Sequence, residues 1–201
     1  MRRPTTVAVS LLLLALVAAA HELVPAPEDV TAPIAHAGEA GEVVDARGFT
    51  IEVGEVRIAR TVVEEDLFGE GSRETANGVW VVVPAVLTST STSSRVASPV
   101  LLETGGGYTH SAVTRLSSTL NSQSPQLDPG IAVRGAFVFE LPPERLTRAV
   151  LRVTVSEGLD TRLAAEAVVD LGLSPAELRR LTADAAETTV PPVEYGHPDP
   201  R

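Results

Sequence analysis

The stretch Gly78-Val-Trp-Val-Val-Val-Pro-Ala-Val-Leu-Thr88 decides the fold. It is apolar at consecutive positions, rich in β-branched valine, and bounded by glycine before and Thr/Ser after. That composition predicts a strand buried on both faces. A helix is the competing reading, and the valines and an interior proline argue against it. Pro84 has no N–H to give to a ladder, so it must sit at a bulge or turn its nitrogen towards a gap in pairing. Trp80 is the single tryptophan, so this strand is expected to carry the largest side chain of the core.

On either side, further segments alternate as strands do. Phe49, Ile51 and Val53 share one face, and after Gly54 the apolar positions move to Val56 and Ile58. Such a phase change predicts a β-bulge at Gly54-Glu55 or a strand that switches partners. Val43-Val44 is a short first strand, and Val96 to Leu102 a near-edge strand carrying Pro99. Gly105-Gly-Gly107 before Tyr108-Thr-His-Ser-Ala-Val113 reads as a hairpin turn, because neither a GxGxxG spacing nor a following Lys/Thr makes it a phosphate loop. Leu127-Asp-Pro-Gly130 is a turn that opens the strand 131–141, which Pro142-Pro143 stop. Two more alternating runs follow, Ala149 to Val155 and Leu163 to Leu171. Ser174-Pro-Ala-Glu177 is a capping box with proline in the first turn, so a short helix is expected from Pro175 to about Ala186.

Hydrophobic residues make up 44% of the 201, enough for a folded domain. Aromatics are only 3%, so Val, Leu, Ala and Ile must fill the core. A formal net charge of −10 argues against nucleic acid as a partner, since phosphate binding needs a basic surface. Cysteine is absent, which excludes disulfides, a catalytic thiol and cysteine-based metal sites.

At the start, Arg2 and Arg3 precede a weakly polar-to-apolar run, Val7 to Ala20, that ends in Ala18-Ala19-Ala20. This is the pattern of a signal peptide cut before His21 or, if uncut, of a transmembrane anchor. Either way the rest of the chain is expected outside the cytoplasm, secreted or anchored, with the membrane touched only by residues 1–20. Residues 21–40 read as a Pro/Ala-rich linker, 41–171 as the domain, and 172–201 as a short helix with a disordered Pro-rich tail.

Three groups of residues invite chemistry. Glu64, Glu65, Asp66 and Glu70 cluster in an acidic loop, and such carboxylates can hold Ca²⁺, although their spacing matches no defined calcium loop. His36 and His110 are alternative ligands for a divalent metal. His110 with Ser111 or Ser117 and Asp128 has the residue types of a hydrolase triad, but no nucleophile-elbow motif surrounds a serine. Thr88 to Ser94 is a polar run that forms an edge or loop, or accepts O-linked sugars. On the helix, Leu178 and Leu181 form an apolar stripe able to dock on the sandwich or on a partner.

The order of these segments resembles the immunoprotective-extracellular-protein-like family, immunoglobulin-like secreted domains common in actinobacteria. The resemblance covers roughly Gly41 to Leu171 and rests on the Gly78 strand, the Ser/Thr-rich loop, Leu101-Leu-Glu-Thr-Gly-Gly-Gly-Tyr108, Pro129-Gly130 and Phe137-Val-Phe-Glu-Leu-Pro142. Thr104 stands where the family's turn has an acidic residue. The resemblance implies an antiparallel immunoglobulin-like β-sandwich, which the alternation supports independently, and it transfers no catalytic residue. The expected function is a non-enzymatic extracytoplasmic interaction module for an envelope or membrane protein or another cell-surface component, without cofactor. A ligand- or metal-binding domain is the alternative, and a hydrolase comes last.

Overall fold

The computed structural model describes residues 3–22, 31–64, 71–158 and 160–196. The chain divides into two units, residues 1–32 and 33–201. In the first, helix α1 spans Arg3–Glu22, which agrees with the expected leader helix. Among the described residues, no helix is long and apolar enough to cross a membrane. The transmembrane-anchor alternative is therefore unsupported: from Val7 to Ala20 the apolar run rises only about 21 Å at ~1.5 Å per residue, against a hydrocarbon core of about 30 Å.

The second unit is a β-sandwich of two seven-stranded sheets among the described residues. One sheet contains β2 (Val43–Asp45), β3 (Phe49–Val53), β4 (Arg57–Glu64), β5 (Arg73–Ser89), β10 (Ala132–Leu141), β13 (Glu187–Val190) and β14 (Glu194–Gly196). The other contains β1 (Ile34–Glu39), β6 (Ser94–Val96), β7 (Leu101–Thr104), β8 (Tyr108–Ser111), β9 (Gln126–Leu127), β11 (Ala149–Ser156) and β12 (Ala165–Asp170). A four-residue helix α2 (Leu120–Gln123) and helix α3 (Pro175–Ala183) complete it. Pairing is antiparallel except at two edges, where β1 runs parallel to β12 and β13 parallel to β4.

The quoted stretch forms the middle of the 17-residue strand β5, paired with β10 on one side and with β3 and β4 on the other. Its two faces bury different clusters. Val79, Val81, Val83, Ala85 and Leu87 join Phe137, Phe139 and Leu151 in the main core. Trp80 and Val82 point the other way and pack with Val62, Leu116, Val138 and Val190. So the strand is buried on both faces, but its tryptophan builds a second, smaller cluster rather than the main core.

The phase change at Gly54 is a bulge. Val53 faces Ala85 and Arg57 faces Val82, so Gly54, Glu55 and Val56 oppose only Val83 and Pro84. The Gly54 N–H donates to the Pro84 carbonyl at 2.9 Å. In an extended strand a residue's N and C=O point the same way, so the Pro84 nitrogen faces this irregularity, where a missing donor does least harm. Gly78 has a different reason to be glycine: a Cβ there would lie 2.3 Å from the Leu141 carbonyl oxygen. Pro99 splits the expected 96–102 strand into β6 and β7.

Two boundaries need correction. The segment assigned to the linker contributes β1, so the domain begins near residue 33 rather than 41. Small residues just after a proline-rich stretch disguised a strand that pairs along its length with its neighbour β12. The tail expected to be disordered instead supplies β13 and β14. Val190 is fully buried beside Trp80, and that tertiary cover overrides the low intrinsic order of a proline-rich segment.

Candidate functional site

Of the acidic loop, Glu65, Asp66 and Glu70 lie outside the described residues. Glu64 ends β4 and is only 6% exposed. One oxygen, Oε1, accepts from the Ser118 N–H at 2.7 Å, the Ser118 hydroxyl at 2.7 Å and the Ser117 hydroxyl at 3.3 Å. A carboxylate so engaged pins the 117–118 segment to β4. Among the described residues no group of three or more His, Asp or Glu side chains is placed to hold a metal ion.

The triad candidates are not brought together. Ser117 is bonded to Glu64. Asp128 accepts from the Ser93 hydroxyl at 2.6 Å and from Gln126 at 2.9 Å, and these bonds hold its carboxyl below the usual range. His110 meets Thr104 Oγ1 through Nε2 at 3.3 Å, while Ser111, its neighbour on β8, is exposed. His36 lies on β1, opposite Ala167 in the ladder, with a buried Nε2 that has no hydrogen-bond partner among the described residues.

The helical stripe is also spoken for. Leu178 is 1% exposed and belongs to the main core, and Leu181 packs partly buried against it. The capping box that starts α3 is formed as expected, with Ser174 and Glu177 bonded reciprocally. The correction is one of direction: these leucines dock the helix onto the sandwich, so Leu178 in particular is not a free partner surface.

A more distinctive constellation occupies the end of the sandwich where β7 turns into β8. Gly106 and Gly107 take positive φ, +81° and +76°, and the tight hairpin lifts Tyr108 to the surface at 45% exposure. The chain has two tyrosines; the other, Tyr195, is 61% exposed, whereas Phe49, Phe137 and Phe139 are fully buried. Over the Tyr108 ring lies the Arg145 guanidinium, its central carbon 3.7 Å from the centroid. Arg145 comes from the 3-10 turn Pro143–Arg145, which Pro142-Pro143 force at the end of β10.

Beneath this pair the Thr104 hydroxyl donates to the Tyr108 carbonyl at 3.3 Å, leaving lone pairs for His110. Burial first, and then repulsion from Arg145, lower the His110 pKa. Beside the turn runs a groove of ≈ 380 Å³ lined by Asn77, Gly78, Glu140, Leu141, Pro142 and Glu144, among others. Burial raises the Glu140 carboxyl, but hydrogen bonds from Arg115 and the Asn77 N–H outweigh it, and the net pKa is lowered. A flat aromatic ring braced by an arginine, next to a groove with a fixed carboxylate, suits recognition of another macromolecule's surface. Residue patterns marked the glycine turn but not this site, because Arg145 meets Tyr108 only through the packing of two distant loops.

No protein-family model and no curated protein matches the chain. Among solved structures, it is similar to an uncharacterized β-sandwich protein from Clostridium difficile, with 13% identity and a TM-score of 0.44 over 69% of this chain and 95% of that one. It is also similar to the YjhA protein of Bacillus subtilis, with 13% identity and a TM-score of 0.48 over 66% and 98% of the respective chains.

Proposed function

We propose that this chain is a non-enzymatic interaction module of the cell envelope that binds a protein partner through Tyr108 and Arg145. The observation that carries the reading is the braced, exposed ring at the hairpin tip. Tyrosine and arginine are enriched in binding hot spots; tyrosine buries a large area at little entropic cost, and here the arginine is already ordered against the ring. The sequence adds the compartment: a basic start followed by an apolar helix suits export, with the remainder of the chain outside the cytoplasm. The resemblance to immunoglobulin-like secreted domains points the same way, and the partner is an envelope or membrane protein.

The test is photo-cross-linking from Thr109, beside Tyr108, in intact envelope. Wild-type protein is expected to give one dominant adduct that Tyr108→Ala and Arg145→Ala abolish while both variants still unfold cooperatively, destabilised by no more than the about 1 kcal/mol of the lost cation–π contact. Retention of the adduct in both variants would reject the platform. Absence of any adduct in the wild type would reject the module reading itself.

A further inference from the structure

At the opposite end of the sandwich, where β5 finishes at Ser89 and β11 at Ser156, a groove of ≈ 250 Å³ opens between the two sheets. Ser94 lines it. This serine starts β6 on the inward-facing side of its strand, as Val96 does. It is only 7% exposed, and its hydroxyl has no hydrogen-bond partner among the described residues. Buried hydroxyls are ordinarily satisfied, and one left open at the wall of a groove needs an explanation. Several other polar groups nearby are engaged. Thr92 donates to Glu157 at 2.6 Å, Ser156 donates to the Asp160 carbonyl at 2.9 Å, and Arg162 forks onto the Asp160 carboxylate at 2.6 and 3.0 Å.

We propose that this groove is a second binding site, independent of the Tyr108 end, and that it takes a single unit of a neutral polyhydroxylated ligand, a sugar residue. Three features of its chemistry select that class. Arg162 and Asp160 neutralise each other, which leaves Glu157, bonded to Thr92, as the one charge of the lining without a cationic partner among the described residues: it disfavours an anion and offers an acceptor to a ligand hydroxyl. A divalent cation requires several converging oxygen ligands, and the described residues place no such acidic cluster here. A neutral polyol uses both kinds of group at once, each of its hydroxyls donating and accepting, as the Ser94 hydroxyl also can. Ala164 and Ala165, both partly exposed, give the apolar side on which the C–H face of a sugar ring rests. A volume of ≈ 250 Å³ accommodates one ring and not an extended chain.

Ser94 makes the idea testable, because its structural and binding roles predict opposite outcomes. In the absence of ligand, Ser94→Ala removes an unsatisfied buried hydroxyl, so the variant is expected to unfold at the same or a higher temperature than wild type. In the presence of ligand it should lose the benefit. The experiment is an amide-resolved NMR titration of residues 33–201 in the full chain with methyl glucoside, methyl galactoside and methyl arabinoside, paired with thermal unfolding. At least one glycoside is expected to give saturable shifts confined to Thr92, Ser94, Glu157 and Arg162, with Kd raised at least tenfold in Ser94→Ala. No saturable shift with any of the three overturns the proposal. So does unchanged affinity in Ser94→Ala, or saturation by Ca²⁺ or glutarate in place of the glycosides. Because the readout lies at the end remote from Tyr108, a Tyr108→Ala chain should titrate like wild type; failure here leaves the partner-binding reading standing, and the reverse.

Discussion

Arg115 lies over the ring of Trp80, its guanidinium carbon 4.4 Å from the centroid, and the same side chain holds Glu140 at 2.5 Å. Trp80 Nε1 donates to the Glu74 carbonyl at 3.1 Å, so the indole is closed over from above and satisfied at its edge. This arrangement makes the outer face of β5 a second buried layer. Replacing Arg115 by alanine is expected to destabilise the domain by about 1 kcal/mol, the worth of a partly exposed cation–π contact. Trp80 is the sole tryptophan, so urea unfolding followed by its fluorescence reads the change directly, together with a red shift of the native emission.

Glu64→Ala should cost about 2 kcal/mol, since it strands the buried Ser118 N–H that the carboxylate now accepts from. Glu64→Gln keeps an acceptor and is expected to cost about half as much. The two are compared by chemical denaturation with and without Ca²⁺. A structural pin predicts the same ordering of wild type, Gln and Ala in both conditions.

Leu178→Ala is expected to lose about 2–4 kcal/mol, as truncation of a buried leucine does. Leu181→Ala should lose less because that side chain is only partly buried. A shift of the urea midpoint at constant slope checks both, and near-neutral behaviour at Leu178 would return the helix to the list of free docking surfaces.

Gly78→Ala brings a Cβ against the Leu141 backbone and forces the central β5–β10 pair apart, which should cost about 3 kcal/mol or more. Gly48→Ala is the control: a Cβ there meets nothing within 4 Å. The measurement is the thermal midpoint of each variant.

His110 supplies a pH dependence. Its folded pKa is lowered from 6.5, mainly by burial and then by Arg145. As pH falls through 6.5 the unfolded chain takes up the proton before the folded one, so stability is present above that pH and is lost below it. The thermal midpoint of wild type should therefore fall more steeply on acidification than that of His110→Gln, and Arg145→Ala should lessen the slope.

The local chemistry of the chain determined a good deal by itself. Continuous β-branched apolar residues made β5 a strand buried on both faces, a one-residue phase slip marked the bulge beside Pro84, the glycine run set the β7–β8 turn, and the Ser174–Glu177 box started α3. Each of these is a property of neighbouring residues, which short-range sterics and hydrogen bonding settle. Only the tertiary structure decided which side of the sheet Trp80 occupies, because alternation distinguishes two faces without saying what covers either. It likewise recruited 34–39 and 187–190 as parallel edge strands, turned Glu64 inward onto Ser118, and set Arg145 on Tyr108. Those outcomes depend on groups far apart in the chain meeting in space, where burial and partner geometry outweigh local preference.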